Sequence, residues 1–235
     1  MSEKTYRIAW LPGDGIGRDV TEAALDVMHA VAEAQGFGLD VREHAIGGAA
    51  LDRDGVPLPE ATRQACLDSD AVLLGAVGGP KWDGLDGALR PEAGLLAIRR
   101  ALGAFANLRP VAVPQSLAEA SPLRPDIVAG TDLLIVRELT GGIYFGEPRG
   151  RRHTGACAEA LNTMCYTEKE VARVAEIAFQ EARRRQGRVT SVDKANVLDV
   201  SRLWREIVER VHQTHFSDVQ LDHLYVDNAA MQIVR

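Results

Sequence analysis

The chain has 235 residues, of which 46% are hydrophobic and 26% charged, and its net charge is −6. This composition is typical of a soluble globular protein with one large or two small domains, and the acidic balance argues against a nucleic-acid partner. No apolar run approaches the roughly 20 residues of a membrane span, and the polar N-terminus lacks a signal-peptide core, so we expect a cytoplasmic protein with no membrane partner.

The first hundred residues alternate between strand and helix patterns. A strand is predicted at 6–11, and a helix follows because apolar residues recur at helical spacing, at Val20, Ala23, Ala24, Val27, Met28 and Val31. Further along, the patterns indicate a strand at 41–45, a helix at 59–68, a strand at 71–77 and a helix at 94–104. The run 71–77 is continuously apolar, which favours a strand buried on both faces of a parallel sheet.

The second half continues the alternation around a different central segment. Residues 132–136 form an apolar strand pattern, the glycine- and aromatic-rich segment 140–150 indicates a turn and extended ribbon, and 153–166 can supply its partner strand. Thr167 and Glu170 form a capping box that predicts a helix start. The remaining patterns are a strand at 189–192, a helix at 201–212, a strand at 219–226 and a helix starting at 228.

This alternation of elements predicts an α/β protein with a largely parallel sheet. The last segment, NAAMQIVR, shows no helix stop signal, so we expect a chain cut off before its fold is complete. Three cysteines, an odd number without a CxxC pair, indicate free thiols rather than a disulfide framework or a zinc site.

A glycine-rich turn, LPGDGIG at 11–17, lies between the first strand and the first helix. A helix N-terminus after such a turn can bind a phosphate. The third glycine comes one residue too early for the dinucleotide fingerprint, however, so a structural tight turn is slightly favoured over a cofactor contact.

Arginines and single ionisable residues provide the other candidates. Arg99, Arg109 and Arg137 suit a substrate with two carboxylates, because guanidinium groups bind carboxylates through paired hydrogen bonds; ordinary ion pairs are the alternative. Lys194 can act as a base and Tyr144 as a proton donor, although packing or solvation also accounts for either residue. Asp227 follows a strand, where a carboxylate binds Mg²⁺ or Mn²⁺ or caps a helix.

Six segments, in order, resemble the β-decarboxylating dehydrogenases, and within that family the 3-isopropylmalate branch rather than the isocitrate, tartrate or D-malate branches. The resemblance covers essentially the whole chain. The segments are LPGDGIG (11–17), GAVGGPKW (75–82), PEAGLLAIRRALGAFANLRP (91–110), VRELTGGIYFGEPRG (136–150), SVDKANVLDVSRLWREIV (191–208) and YVDNAAMQIVR (225–235).

The resemblance implies an activity and a set of roles. The reaction is the NAD-dependent oxidative decarboxylation of (2R,3S)-3-isopropylmalate to 4-methyl-2-oxopentanoate and CO₂, in leucine biosynthesis. Catalytic roles fall to Tyr144 and Lys194, and substrate contacts to Arg99, Arg109, Arg137, Asp227, Glu92, Leu95 and Leu96. Cofactor contacts fall to Gly78, Gly79, Pro80, Lys81, Trp82 and Glu92, within a loop at 78–92, and to Asn196, which lies beside Lys194. Asp227 ligates Mg²⁺ or Mn²⁺ with partners beyond residue 235.

Among the substrate contacts, Leu95 and Leu96 favour an isopropyl group. Desolvating the extra carboxylate of isocitrate against two leucines would cost several kcal/mol, and Glu92 would repel it.

The resemblance also implies an architecture. It is the isocitrate/isopropylmalate dehydrogenase-like fold, a mixed and largely parallel sheet flanked by helices, which is not a Rossmann fold. Residues 1–104 would form part of a cofactor-side domain, and 105–235 a substrate and dimerisation domain with an intersubunit arm at 140–166. We therefore expect a homodimer with shared active sites. A D-malate or tartrate dehydrogenase, or an inactive chain that only dimerises, are the alternatives.

Overall fold

The structure is a computed structural model that describes residues 4–85, 87–155 and 157–235. Positions 86 and 156, inside the predicted cofactor loop (78–92) and arm (140–166), lie outside the described residues. The chain divides into two compact units, the first ending at Gly103 and the second running from Ala104 to Arg235.

The first unit is built on a parallel sheet of three strands in the order β2-β1-β3. Its strands are β1 (Thr5–Gly13), β2 (Gly38–Glu43) and β3 (Ala71–Ala76). Its helices are α1 (Gly17–Gln35), α2 (Gly48–Asp54), α3 (Glu60–Leu67) and α4 (Pro91–Ala101). The predicted parallel pairing of 71–77 is confirmed, but β3 is half-buried rather than buried on both faces, because it lies at an edge of this sheet.

Helix α1 approaches the sheet through small residues. A Cβ atom on Gly17 would lie 2.5 Å from the backbone nitrogen of Ala76, so only glycine permits this close packing. The buried positions that follow are Thr21, Leu25 and Ala32. The valines that predicted the helix face outward instead; Val27, for example, is 64% exposed. Periodicity therefore predicted the helix correctly but not its buried face.

The described part of the second unit contains three pairs of strands and four α-helices. Its strands are β4 (Ala106–Ala112), β5 (Asp132–Glu138), β6 (Gly146–Thr154), β7 (Cys157–Thr163), β8 (Arg188–Asp193) and β9 (Gln220–Tyr225). Its helices are α5 (Pro125–Val128), α6 (Glu168–Arg183), α7 (Asp199–His215) and α8 (Val226–Val234). Strands β4 and β5 pair antiparallel, as do β6 and β7, whereas β8 and β9 pair parallel. The β6–β7 pair is the predicted ribbon.

The core of the second unit lies between α6 and α7. Phe179 is fully buried there and stacks on Phe216 with ring centroids 5.2 Å apart, while Val171, Ile207 and Val208 fill the space around them. The capping box is confirmed, since the backbone amide of Glu170 donates to the Thr167 hydroxyl and the Thr167 amide donates to the Glu170 carboxylate. The α/β class is confirmed, and none of the described helices is long and apolar enough to span a membrane.

Candidate active site

The predicted cofactor loop follows β3 in the first unit. Residues Pro80–Trp82 form a 3-10 turn whose side chains attach to α2: the Lys81 ammonium lies 2.5 Å from the Asp52 carboxylate, and the Trp82 indole N–H donates to the same group over 3.3 Å. The hydrogen bond from Lys81 lowers the pKa of Asp52. Trp82 also packs on Gly48, where a Cβ atom would lie 2.3 Å from the indole ring. These contacts hold the loop against α2.

Helix α4 begins where this loop ends. Pro91 occupies its first turn and is buried, while a Cβ atom on Gly94 would lie 2.4 Å from the carbonyl oxygen of Pro57, so the helix packs closely at that point. Four predicted substrate residues follow the spacing i, i+3, i+4 and i+7, which puts them on one helix face. They are Glu92, Leu95, Leu96 and Arg99, of which Glu92 is exposed and the others are half-buried.

The glycine-rich turn at 11–17 has a structural role. Gly13 and Gly15 have φ angles of 72° and 53°, in the left-handed region that favours glycine. A Cβ atom on Gly13 would lie 2.0 Å from the carbonyl oxygen of Ala76. The turn thus brings the end of β1 tightly against the end of β3, as the structural alternative for this motif requires.

Two predicted arginines meet in the second unit. In the β4–β5 register, Asn107 pairs with Arg137 and Arg109 pairs with Ile135, so Arg109 and Arg137 are diagonal neighbours on one face. The Arg109 guanidinium donates to the Asn107 side chain over 2.5 Å, and that of Arg137 lies 5.7 Å from the centre of the Tyr144 ring. Arg137, Arg109 and Tyr144 therefore form one exposed cluster.

The strand that carries Arg137 differs from the expectation. Sequence reasoning favoured a buried apolar strand, but Ile135 is 43% exposed, and Leu133, Leu134 and Val136 are only half-buried. Arg137 points to the exposed side of β5, where a carboxylate can reach it from solvent.

Lys194 and Asp227 form a second pair. They follow β8 and β9, which are parallel neighbours, so both side chains emerge at the same end of this sheet. The Lys194 ammonium donates to the Asp227 carboxylate over 2.5 Å, and this hydrogen bond lowers the pKa of Asp227. Asp227 lies in the first turn of α8, whose N-cap is Tyr225, so the alternative of an N-cap aspartate is wrong. Asn196 is exposed in the turn after Lys194.

The Asp227 carboxylate is compatible with one position in a divalent-metal site. It is an ionised oxygen donor, and its side chain is 66% exposed. Within the described ranges, no three or more His, Cys, Asp or Glu side chains cluster to hold a metal ion. In the same ranges, no hydrogen bond or ion pair joins the Arg109–Arg137–Tyr144 cluster to the Lys194–Asp227 pair.

Three buried carboxylates support these loops, and sequence reasoning missed all three. In the described part of the chain, the charged residues that are buried are Asp14, Glu138 and Asp193. Each accepts backbone N–H groups of a segment that carries predicted site residues: Asp14 from Gly78, Glu138 from Thr140 and Gly141, and Asp193 from Ala195. An acidic residue at or just after a strand end, before such a segment, was the available signal.

Two of these carboxylates also pair with arginines. Glu138 accepts from Arg173 over 3.0 Å and from the Thr140 hydroxyl over 2.7 Å, which fixes the turn that leads to Tyr144. Asp193 accepts two hydrogen bonds of 3.0 Å from Arg205, whose guanidinium lies 5.4 Å from the centre of the Tyr225 ring. Arg205 thereby links the end of β8 to the end of β9, where Lys194 and Asp227 meet.

A cavity of about 1050 Å³ opens elsewhere in the second unit. It lies between β5 and β8 and is closed by α6 and α8, with Val136, Val192 and Ile233 in its lining. None of the predicted catalytic or substrate residues lines this cavity. Its lining is mainly apolar but also includes Arg185, which pairs with Asp132, and Arg188.

The sequence and structure match one family of known proteins. The family model described as isocitrate/isopropylmalate dehydrogenase matches residues 7–235. A 3-isopropylmalate dehydrogenase of Salinibacter ruber is 64% identical over 232 residues, which cover 99% of this chain and 62% of that protein. The enzyme of the same name from Oleidesulfovibrio alaskensis is 59% identical over 230 residues, which cover 97% of this chain and 64% of that protein.

Solved structures show the same fold at lower identity. An isocitrate dehydrogenase from Methylococcus capsulatus superposes with a TM-score of 0.79 at 29% identity, covering 97% of this chain and 63% of its own. A β-decarboxylating dehydrogenase from Thermococcus kodakarensis gives 0.70 at 28% identity, covering 98% and 60%. The chain thus spans less than two thirds of the length of these proteins.

Proposed function

This chain belongs to the isocitrate/isopropylmalate dehydrogenase family, and from this premise we propose that it carries out the NAD-dependent oxidative decarboxylation of (2R,3S)-3-isopropylmalate to 4-methyl-2-oxopentanoate and CO₂, in leucine biosynthesis. The observation that carries the substrate assignment is the face of α4, on which two half-buried leucines lie between Glu92 and Arg99. A branched alkyl group fits Leu95 and Leu96. A third carboxylate would lose its water there, at a cost of several kcal/mol.

The arginines account for binding of the malate carboxylates. Arg109 and Arg137 present their guanidinium groups on one face of the β4–β5 pair, and the planar guanidinium group matches the geometry of a carboxylate. Each offers paired hydrogen bonds to a carboxylate, and Arg99 adds a further positive charge in the first unit. Because two carboxylates require at least two such groups, this arrangement suits a dicarboxylic acid better than a simple alcohol.

Lys194 and Tyr144 account for the proton transfers. Lys194, when its amine is uncharged, takes the proton of the C2 hydroxyl, and its hydrogen bond to Asp227 holds the amine in place. Tyr144 is 54% exposed beside Arg137, and it returns a proton to the enol after CO₂ leaves. Gly78, Gly79, Pro80, Lys81, Trp82, Glu92 and Asn196 are the proposed contacts of NAD⁺, which would supply the hydride acceptor for C2.

Asp227 is the proposed metal ligand of this chain. A bound Mg²⁺ or Mn²⁺ would act as a Lewis acid at the C2 oxygen and make decarboxylation easier. Lys194 keeps the pKa of Asp227 low, so the carboxylate is ionised at neutral pH and can serve as an oxygen ligand. The pairing of the two side chains thus supports the metal role of Asp227.

We further propose a homodimer in which the arm (140–166) contacts the partner, and Lys194 and Asp227 act in the partner's site. Support comes from the lack of a hydrogen bond or ion pair between the arginine cluster and the Lys194–Asp227 pair within the described residues. A cytoplasmic location and the absence of a nucleic-acid partner remain predictions from composition. The dimer is testable by subunit complementation.

In that experiment, an Arg137→Ala chain is mixed with a Lys194→Met chain, each extended to the length of the relatives. Neither variant alone is expected to turn over substrate. With random pairing, about half of the dimers contain one chain of each kind. Each of these mixed dimers has one intact site out of two, so about a quarter of all sites would be restored. No recovery after mixed refolding would show that each subunit uses its own Lys194.

A substrate panel tests the specificity proposal. The extended chain is assayed for NADH production with 3-isopropylmalate, D-malate and isocitrate. Replacing Leu95 and Leu96 by alanine should lower kcat/KM for 3-isopropylmalate about tenfold or more and leave D-malate turnover little changed. Leu102→Ala, a matched control just beyond α4, should change neither. Preferred use of D-malate by the unaltered protein would refute the assignment.

A further inference from the structure

Asp14 holds three backbone segments together from a buried position. It is 5% exposed and lies in the turn after β1. One carboxylate oxygen accepts from the amide of Ala49 over 2.7 Å. The other accepts from Gly48 over 2.8 Å and from Gly78 over 2.7 Å. The carboxylate thus ties the start of α2 to the start of the loop after β3.

This tether acts on the same loop that the side chains of Lys81 and Trp82 fasten to α2. The two kinds of contact differ in exposure. The Lys81–Asp52 pair is exposed to solvent, with side-chain exposures of 65% and 46%, and exposed pairs contribute little to stability. The Asp14 hydrogen bonds are shielded, and hydrogen bonds to a charged group are stronger. Asp14 is therefore the main anchor of the loop.

The anchored residue, Gly78, is itself confined on the other side. Its φ angle is +106°, which side chains rarely permit, and a Cβ atom would lie 2.6 Å from Oε1 of Glu92. Gly78 thus lies between the carboxylates of Asp14 and Glu92. Any shift of Gly78 away from Asp14 changes its distance from the first turn of α4.

We propose that Asp14 is a positioning residue for cofactor binding: by accepting the Gly78 amide, it fixes the Gly78–Trp82 loop in the conformation that contacts NAD. This proposal rests on the NAD-dependent function proposed above. Asp14 acts through the loop and is not a catalytic residue. Both side-chain oxygens of Asp14 must accept hydrogen bonds, because the three groups bonded to them are backbone N–H donors.

Substitutions at Asp14 should therefore have graded effects. Asp14→Asn keeps the size of the side chain but turns an NH₂ group toward at least one N–H donor, whereas Asp14→Ala removes every acceptor. A matched control is Asp70→Asn. Asp70 also accepts a backbone amide, that of Arg7, over 2.8 Å, but it lies outside the loop and α2.

The first measurement uses the 235-residue chain itself. Amide hydrogen exchange at Gly78 should accelerate at least about tenfold in Asp14→Asn and further in Asp14→Ala, while β1 amides change less. Trypsin should cleave faster after Lys81 in the same order. Asp70→Asn should leave Gly78 unaffected. Unchanged exchange at Gly78 in folded Asp14→Asn would overturn the proposal, and this variant suffices if the alanine variant does not fold.

The second measurement uses the chain extended to the length of the relatives. Asp14→Asn should raise KM for NAD about tenfold and change KM for 3-isopropylmalate much less, a separation that general destabilisation would not produce. Faster Gly78 exchange with an unchanged KM for NAD would overturn the cofactor role of Asp14. An unaltered extended protein that does not bind NAD would instead refute the proposed function, on which the cofactor role depends.

Discussion

Removing the Glu138 carboxylate should destabilise the second unit strongly. Its side chain is 1% exposed and accepts from the amides of Thr140 and Gly141, the Thr140 hydroxyl and the Arg173 guanidinium. Glu138→Ala leaves all these donors without their acceptor. Breaking a buried ion pair from one side costs about 3–5 kcal/mol. Because Arg173 is 36% exposed and water can reach it, we expect about 3 kcal/mol.

The assay is amide hydrogen exchange of Val171 and Phe179, which are fully buried in α6 and so report on unfolding of this unit. The matched control is Glu168→Gln, which breaks an ion pair of 2.7 Å with Arg210. The side chains of Glu168 and Arg210 are each about 60% exposed. That control should cost less than about 1 kcal/mol.

A double variant separates the contribution of the Glu138–Arg173 ion pair from that of the other hydrogen bonds to Glu138. If the loss in Glu138→Ala comes largely from an uncompensated guanidinium, then adding Arg173→Met should recover about 1 kcal/mol or more. A Glu138→Ala chain no less stable than Glu168→Gln would refute the claim that this carboxylate holds the turn before Tyr144.

Three further changes have defined outcomes. Thr167→Ala should lower the free energy of unfolding by about 1 kcal/mol in urea titrations, because the capping box is lost, whereas Thr214→Ala on the α7 surface should cost less than about 0.5 kcal/mol. Phe179→Ala should cost about 3–5 kcal/mol in the same titration, since the ring is fully buried; a loss below 1 kcal/mol would contradict the packing of this core. Burial lowers the pKa of His223, and the positive charge of Arg205 lowers it further. These two effects outweigh the Glu209 carboxylate, 3.3 Å away, which raises it. The unfolded chain therefore binds the proton more tightly, and His223 should contribute a loss of stability as the pH falls below about 6.5, by at most about 1.4 kcal/mol per pH unit. His223→Asn should remove that part of the slope, and an identical slope in both proteins would show that His223 does not carry it.

The sequence predicted most elements because their signals are local. The capping box at Thr167 and the apolar strands needed no tertiary information. Strand β4 was missed, since Pro110 within ANLRPVA argues against a strand. Among the described residues β4 pairs only with β5, and a proline is tolerated on such an edge strand. Helix α2 was missed because its seven residues are too few to show periodicity.

The residues of the candidate site could be proposed from the sequence, but the contacts that support them could not. Residue types and the family resemblance picked out Arg109, Arg137 and Tyr144, which the structure brings into one cluster, and Lys194 with Asp227, which it pairs. The supporting carboxylates were missed because the burial of an aspartate or glutamate depends on donors supplied by distant segments. Asp14, for instance, meets Gly78 across 64 positions of sequence.

We propose above that this chain belongs to an enzyme that couples hydride transfer to decarboxylation at one substrate. The most direct test measures NADH and CO₂ together from 3-isopropylmalate in the presence of Mn²⁺, with the chain extended to the length of its relatives. We predict equal amounts of the two products, and no product from the Lys194→Met variant. NADH without CO₂, or undiminished turnover in Lys194→Met, would contradict the account.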